Sequence, residues 1–553
     1  MDHQVSGWYP DLTEAERRLV QVVSSGEQLD LAGRKYRAGD LIPAEVMRGW
    51  GRRHTVRARV IRDILRGRLV GRPDPRGVRL RGARISGRLD LDYLIATIPL
   101  SLTDCVLPDG IAASGATLPA LLLRGSLLTH RDLPPLGAAR LTTTLLDLRL
   151  ATVTARCDPA AVDLAGADLG LLDARGATLV NARGPAIDAS ESHIRRHARL
   201  SGFGEGYPTR KFEAAGHGER GTVRLCAAAV DGSLSMSHAE VSNHTGPSLT
   251  ADGLDVRQDV LLDGGFTATG AGSLGVVRLA GGRIGGQLIC SDATVTSADG
   301  SALTTDGLVV GQDLSLARLT ACGGGGAAVL DLPNTSVGRV FHYQPATVTN
   351  IASAGSEVNV DGLTYRALPA GLTPTEWLQV IRQHTPAYAA QPYRHLAAAL
   401  SAAGHDREAR DVLIAQRQDQ LERKALTGAS QRGWARLTGV VLGYGYRSSR
   451  ALLFLLGVLA VSVILATVLG AHGALAQPRL AGSASPVAPC TAVQRIAVGL
   501  DLGEPLAGPA AQCGTTLSAT GSALTVLRWL LEVAAWAFVT LFVAGFTSVV
   551  RKT

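Results

Sequence analysis

The sequence predicts a mainly β fold: a right-handed parallel β-helix with a helical cap before it, a helical hairpin after it and two transmembrane helices at the end. Three observations point to it. First, a short pattern recurs: LRGARISGRLDL from Leu80, LCAAAVDGSLSM from Leu225 and LAGGRIGGQLIC from Leu279, with shorter copies from Gly253 and Gly307. Aligned on Ile85, Val230, Val256, Ile284 and Val310, the last four copies stand 26, 28 and 26 residues apart. That period suits one coil of a solenoid and is too short for a domain. Second, polarity alternates within a copy. Ile85, Gly87, Leu89 and Leu91 share one face, and Arg84, Ser86, Arg88 and Asp90 the other, as in a strand with its apolar side inward. Third, Leu164, Leu169, Ala174 and Leu179 are five apart, the pentapeptide-repeat spacing in which each step forms one side of a coil. Gly281 and Gly286 have the spacing of a phosphate loop, but Gln287 and Leu288 stand where that loop needs Lys and Ser or Thr. These glycines are read as architectural.

Residues 1–76 read as a helical, arginine-rich cap. Thr13 and Glu16 form a capping box, and Val56, Val60, Ile61, Ile64 and Leu65 a helical stripe. Residues 48–88 hold 14 Arg against Asp63 and Asp74. Arg52, Arg53, Arg57 and Arg59 are therefore candidate lipid contacts, preferred over nucleic-acid contacts because the chain carries membrane signals.

Residues 77–367 are the β-helix. Its spacing breaks once, with 36 residues between Ile194 and Val230. The surplus is placed in residues 202–221, with Phe203 matched to Phe266. Insertions on a solenoid protrude, so Arg210, Lys211, His217 and Arg220 form a candidate interaction surface. Residues 368–428 read as a hairpin resembling one tetratricopeptide unit, with Gly404 at its turn.

Residues 429–553 read as a membrane anchor. Ala451–Ala471 is 21 residues without a charge, long enough to span a bilayer. A second span is expected at about 529–550, with Trp529 and Trp536 at interfacial positions. Arg432, Arg436, Arg447 and Arg450 precede the first span, and Arg551 and Lys552 follow the second. By the positive-inside rule both termini then face the cytoplasm of a plasma membrane, with the connecting loop outside. No signal peptide is visible at the start of the sequence. Cys490 and Cys513 fall in the outside loop and are a candidate disulfide.

Motifs for chemistry are sparse. His193 and His197 of HIRRH lack the Glu of HExxH and sit in a strand-like tract. GFGEGY lacks the rest of the dinucleotide fingerprint. Asp231, Asp255, Asp259 and Asp313 could meet in successive coils, yet outward acids also keep a strand face soluble. No CxxC pair is present, and no catalytic, cofactor or metal residue is assigned. The loop stretch TAVQRIAVGLDLGE, between two spans, has the outline of a two-helix channel subunit but only part of a potassium-filter sequence.

These tracts, together with QPYRHLAAALSAAGHDREARDVLIA, LGYGYR and TLFVAGFTSVVRK, resemble a family of bacterial, often actinobacterial, membrane-anchored repeat proteins. Its members are named "membrane-associated oxidoreductase" or "pentapeptide repeat-containing protein". The resemblance implies the architecture and carries no catalytic motif. The expected role is a scaffold on the cytoplasmic membrane face, with the lipid bilayer and a protein as partners and no cofactor. The alternatives are a membrane-associated oxidoreductase and a channel-like subunit. Nucleic acid is not implied, and the oligomeric state is not fixed by sequence.

Overall fold

A computed structural model describes residues 11–33, 35, 36, 40, 42–204, 210–351, 357–423, 449–477, 489–503, 513–515 and 519–550. The chain forms two compact units, Met1–Gly404 and His405–Thr553.

The first unit is a parallel β-solenoid of about twelve turns with helices at both ends. Four parallel sheets make the sides of its coils, here sides A to D in chain order. One coil runs through Val162–Asp163 on side C, Asp168–Leu169 on D, Leu172–Asp173 on A and Thr178–Asn181 on B. Leu164, Leu169, Ala174 and Leu179 all point inward and are fully buried. Three sides thus follow the five-residue step, and the longer passage from B to C brings the coil to its full length.

The shared step explains one misalignment. Ile85 pairs with Val56 on side B, whereas Val230, Val256, Ile284 and Val310 stack on side D. The local pattern is the same on each side, so sequence alone matched a copy a half-turn out of phase. Gly281 has a physical role in this frame. It has φ of +63° and belongs to a column of left-handed corners with Ala227, Gly253, Gly307, Asn334 and Gly362. Glycine fits such a corner without strain.

The N-terminal cap is helical, as expected, but also holds two strands. Helix α1 (Glu14–Ser25) carries the Thr13–Glu16 capping box. Leu29–Asp30 then pairs with Val78–Arg81 and opens side A. After α2 (Ala44–Arg48), Thr55–Arg57 pairs with Arg84–Ser86 in side B. Helix α3 (Ala58–Leu65) buries Val60, Ile61, Ile64 and Leu65. Sequence periodicity hid the strands because each is only two or three residues long.

The other end is closed by α4 (Pro374–Gln383) and α5 (Ala390–Ala402). Their groups stand in for a next coil. His384 O accepts from Val358 N at 3.0 Å, and Gln391 binds both Gly362 N (3.2 Å) and Leu363 O (2.9 Å). His395 Nε2 lies 2.9 Å from the backbone N and O of Tyr365. Buried Trp377 meets Phe341 edge-on at 5.6 Å and donates to Tyr365 Oη at 3.1 Å. Open strand edges are templates for aggregation, so this satisfaction has structural value. It also places α5 with the solenoid. The unit boundary at Gly404 therefore divides the predicted hairpin, leaving α6 (Asp406–Glu422) in the second unit.

The second unit also contains α7 (Ser449–Ala471), α8 (Ala492–Gly503) and α9 (Ala519–Val550). Among the described residues one segment, Leu452–Ala471, is long and apolar enough to cross a membrane. The second expected span does not meet this measure among the described residues. The second expected span falls inside α9, where Arg528 and Glu532 form an ion pair at 2.8 Å and several side chains lie outside the described residues. The flanking Arg432, Arg436, Arg447, Arg551 and Lys552 also lie outside them.

Candidate functional site

The outer face of side A carries a column of charge. Leu121, Leu146 and Leu172 are in register on successive coils. Three residues on, Arg124, Arg149 and Arg175 stack in one column, as their backbone carbonyls accept from Asp104, Gly125 and Leu150. Adjacent coils lie about 4.8 Å apart, so unpaired guanidiniums there would repel one another.

The sequence supplies the remedy in two coils. In LDLR (146–149) and LDAR (172–175) an Asp precedes the Arg by two, on the same strand face. Arg149 grips buried Asp147 with Nε and Nη2 at 2.9 and 2.6 Å. Arg175 grips buried Asp173 at 2.9 and 2.7 Å. The hydrogen bonds each Arg donates to its Asp hold both guanidiniums above their usual pKa. In LLLR (121–124) Leu122 replaces the Asp. Arg124 accordingly has no carboxylate within ion-pair distance among the described residues. Its guanidinium instead lies 5.9 Å from the Phe203 ring, which Arg175 approaches at the same distance.

Beside Arg124 is a polar cleft of about 270 Å³, lined by Gln28, Arg81, Ser101, Thr103 and Asp104 among others. Arg81 is fully engaged, binding Asp104 at 2.8 Å and Asp30 at 2.9 Å. Burial pushes the Asp104 carboxyl up, against the pull of Arg81. Arg81 ties the cap to the first coils, and Arg124 is the cation the cleft leaves open. The cue in the sequence was LLLR set against LDLR and LDAR.

The candidate surface of Arg210, Lys211, His217 and Arg220 divides into two. Phe212 is in register with Ala239, and Glu240 with Thr267, so the counterpart of Phe266 is Phe212 and not Phe203. The surplus residues lie between Ala198–Arg199 and Phe212–Gly216, before the side B strand. Phe203 and Arg210 close the excursion as an antiparallel bridge. Arg210 reaches Thr152 and Thr178, and Lys211 pairs with Glu240 at 3.4 Å. His217 and Arg220 lie at the far end of that strand, on the regular passage from B to C, where Arg220 pairs with Asp158 at 2.6 Å.

Among the candidate lipid contacts, Arg57 is a structural residue. It binds Asp11 at 2.7 Å and fully buried Glu16 at 2.6 Å. Burial alone would raise the Glu16 carboxyl, but bonds from Arg57 and Thr13 outweigh it and hold the pKa below its usual value. Arg59 lies 3.5 Å from Asp11, while Arg52 and Arg53 are exposed on a short 3-10 turn.

Three of the four acidic residues have local partners. Asp259 and Asp313 accept backbone amides at corners, and Asp231 pairs with His193 (3.0 Å) and Arg257 (3.2 Å). His197 Nδ1 accepts from Ser233 N, and burial lowers its pKa. Among the described residues no group of three or more His, Cys, Asp or Glu could hold a metal ion. Cys105 and Cys290 are buried, which pushes each thiol up to about 12. A reactive thiol needs the opposite environment.

Around helices α7 and α9 of the second unit polarity is reversed. The buried residues include Ser462, Ala466, Ala474 and Ala535. Leu453, Phe454, Leu456, Ile464, Val468, Trp529, Leu530 and Val533 are exposed. Phe454 stacks on Phe538 at 5.6 Å, joining α7 to α9. Cys490 and Cys513 form a disulfide with Cα atoms 6.4 Å apart, and both pack with Ala466, Ala474 and Leu475.

Comparison with protein-family models, with curated proteins and with solved structures finds no match to this chain.

Proposed function

We propose that the protein is a membrane-anchored scaffold that presents its β-solenoid on the cytoplasmic face of a bacterial plasma membrane. The inverted second unit carries this reading: small residues inside, large apolar residues outside. Water opposes such a surface, while lipid favours it, and helices in lipid pack through small residues. In this reading α7 and α9 are both spans, at about 451–471 and 529–550, and the coils are right-handed and pentapeptide-like. The chain then belongs with the membrane-anchored repeat proteins it resembles. Arg124, with Phe203 over it, is the part of the solenoid most suited to an acidic protein partner.

Membrane vesicles from expressing cells provide the test. The full chain should stay with the membrane through an alkaline wash. Protease added to inside-out vesicles should degrade residues 1–404, and added to right-side-out vesicles should leave them intact. Recovery in the soluble fraction would overturn the anchor, and the opposite protease pattern the orientation.

A second reading, a channel-like subunit, draws on one contact. Helix α8 packs so closely on α7 that a Cβ at Gly499 would stand 2.5 Å from Val463 Cα. A simple external loop would not need that approach. The redox alternative gains no support from the buried, high-pKa thiols.

A further inference from the structure

We propose that Arg124 binds the carboxylate of an acidic side chain on a protein partner, which supplies from outside the acid that Leu122 withholds. The inference rests on the scaffold reading above and names the group by which its partner is held.

The chemistry of the ligand is written in the neighbouring coils. Leu122, Asp147 and Asp173 occupy one outward column of side A, in register. Two residues further along each strand stand Arg124, Arg149 and Arg175. Twice the fold sets an arginine of this column against a carboxylate, with Nε and Nη2 within 2.9 Å of its oxygens. That fork matches a planar carboxylate. Arg124 has the same place in its coil and no acid. It is half-buried and forms no ion pair among the described residues. Asp104 is held by Arg81 at 2.8 Å, and Arg124 pulls on it only at longer range.

The cleft decides the kind of anion. Its volume of about 270 Å³ is at the small end for ligand pockets, with room for one side chain rather than a cofactor. Ser101 and Thr103 line it with their hydroxyls 3.3 Å apart. One hydroxyl hydrogen is used between them, and the other is left to donate to an incoming oxygen. Arg81 and Arg149 also line the cleft but are committed to their own acids, so a single positive charge is on offer. Asp104 and Asp147 are part of the same lining. A phosphate group, with its charge near minus two, would meet one free guanidinium and two carboxylates. A carboxylate carries one charge and needs one fork. The Phe203 ring, 5.9 Å from the guanidinium, excludes water from one side of that pair and so strengthens it.

Arginine modification by phenylglyoxal, read residue by residue by mass spectrometry on the full chain in detergent, tests this. Forked arginines are shielded, so Arg124 should react about tenfold faster than Arg149 and Arg175. The probes are acetyl-Ala-Glu-Ala-amide and its Gln and phosphoserine counterparts, each at millimolar concentration. The Glu peptide should slow the reaction at Arg124 several-fold, the phosphoserine peptide less, and the Gln peptide not at all. Leu122→Asp should close the site from within. Arg124 would then react as slowly as Arg149, and the Glu peptide would no longer change its rate. Slow reaction at Arg149 and Arg175 in that variant shows that its coils are intact. Equal rates at the three arginines of the parent chain, or no protection by the Glu peptide beyond its Gln counterpart, would overturn the site. So would an Arg124 that stays fast in Leu122→Asp while Arg149 and Arg175 stay slow. Stronger protection by the phosphoserine peptide would overturn the choice of a carboxylate. Each of these failures would leave the anchor standing, since fractionation tests it separately.

Discussion

The two units of this chain solve the problem of surface in opposite ways. In the solenoid, leucine, isoleucine and valine point inward on four sides, while surface arginines are held by aspartates a coil or two residues away. In α7 and α9 of the second unit alanine and serine are inside, and leucine, phenylalanine and tryptophan face outward. The same chain thus carries one surface built for water and one that water would penalise. Polarity of the exterior, rather than any catalytic motif, is the strongest functional signal in the molecule.

The sharpest way to break this contrast is to put charge on the outward face of α7. Val461→Asp with Ile464→Asp should cost about 3 kcal/mol of membrane insertion for each site. Full-length protein should move from the floated to the soluble or aggregated fraction. Two acids on the outward face of side B, Thr294→Asp with Thr296→Asp, should leave fractionation unchanged. Equal behaviour of the two pairs would mean that α7 does not face lipid.

The next effect lies at the solenoid's end. Trp377→Ala should destabilise the C-terminal cap by about 4 kcal/mol through lost packing and an orphaned Tyr365 hydroxyl. Because coils contact mainly their neighbours, hydrogen exchange should quicken first in Thr347–Tyr365 and leave the first coils protected. Uniform loss across the solenoid would show stronger coupling than stacked coils imply.

At the opposite cap Arg57→Ala should cost about 3 kcal/mol, because buried Glu16 loses its partner. The pH dependence has a definite sign. The Glu16 pKa is lowered in the folded protein, so its stabilisation is present above the ordinary glutamate range and fades as pH falls through the lowered value. The substitution should therefore matter most near neutrality and least in acid, as read from urea midpoints at a series of pH values.

Arg57 also marks the limit of what sequence could disclose. The coils were legible because alternation and five-residue steps are local. So was the stripe from Val60 to Leu65, because helical spacing is local. The Arg57–Glu16 bond joins residues 41 apart, and nothing in the arginine-rich tract separates Arg57 from exposed Arg52 and Arg53. Likewise Phe203 and Phe212 both sit near the insertion, and only the register with Ala239 shows that Phe212 takes the place of Phe266. The approach of Gly499 to Val463 could not be inferred, since the channel-like outline of its loop does not say which residues of the first helix it meets.

The smallest expected effect separates a structural arginine from a functional one inside a single column. Arg149→Ala leaves the buried Asp147 carboxylate without its fork and should cost about 2 kcal/mol. Arg124→Ala removes a guanidinium that forms no ion pair among the described residues and pulls on Asp104 only at longer range, so stability should change by no more than about 0.5 kcal/mol. Stability selects the Asp–Arg pairs of LDLR and LDAR, because outward arginines stacked on adjacent coils need countercharge. It gives no comparable reason for an unpaired arginine in LLLR beside an open cleft. If thermal unfolding shows equal losses for the two variants, Arg124 is one more structural member of the column. If Arg124→Ala unfolds like the parent chain, its position is free to serve an acidic partner, and crosslinking from residue 124 is where that partner should first be sought.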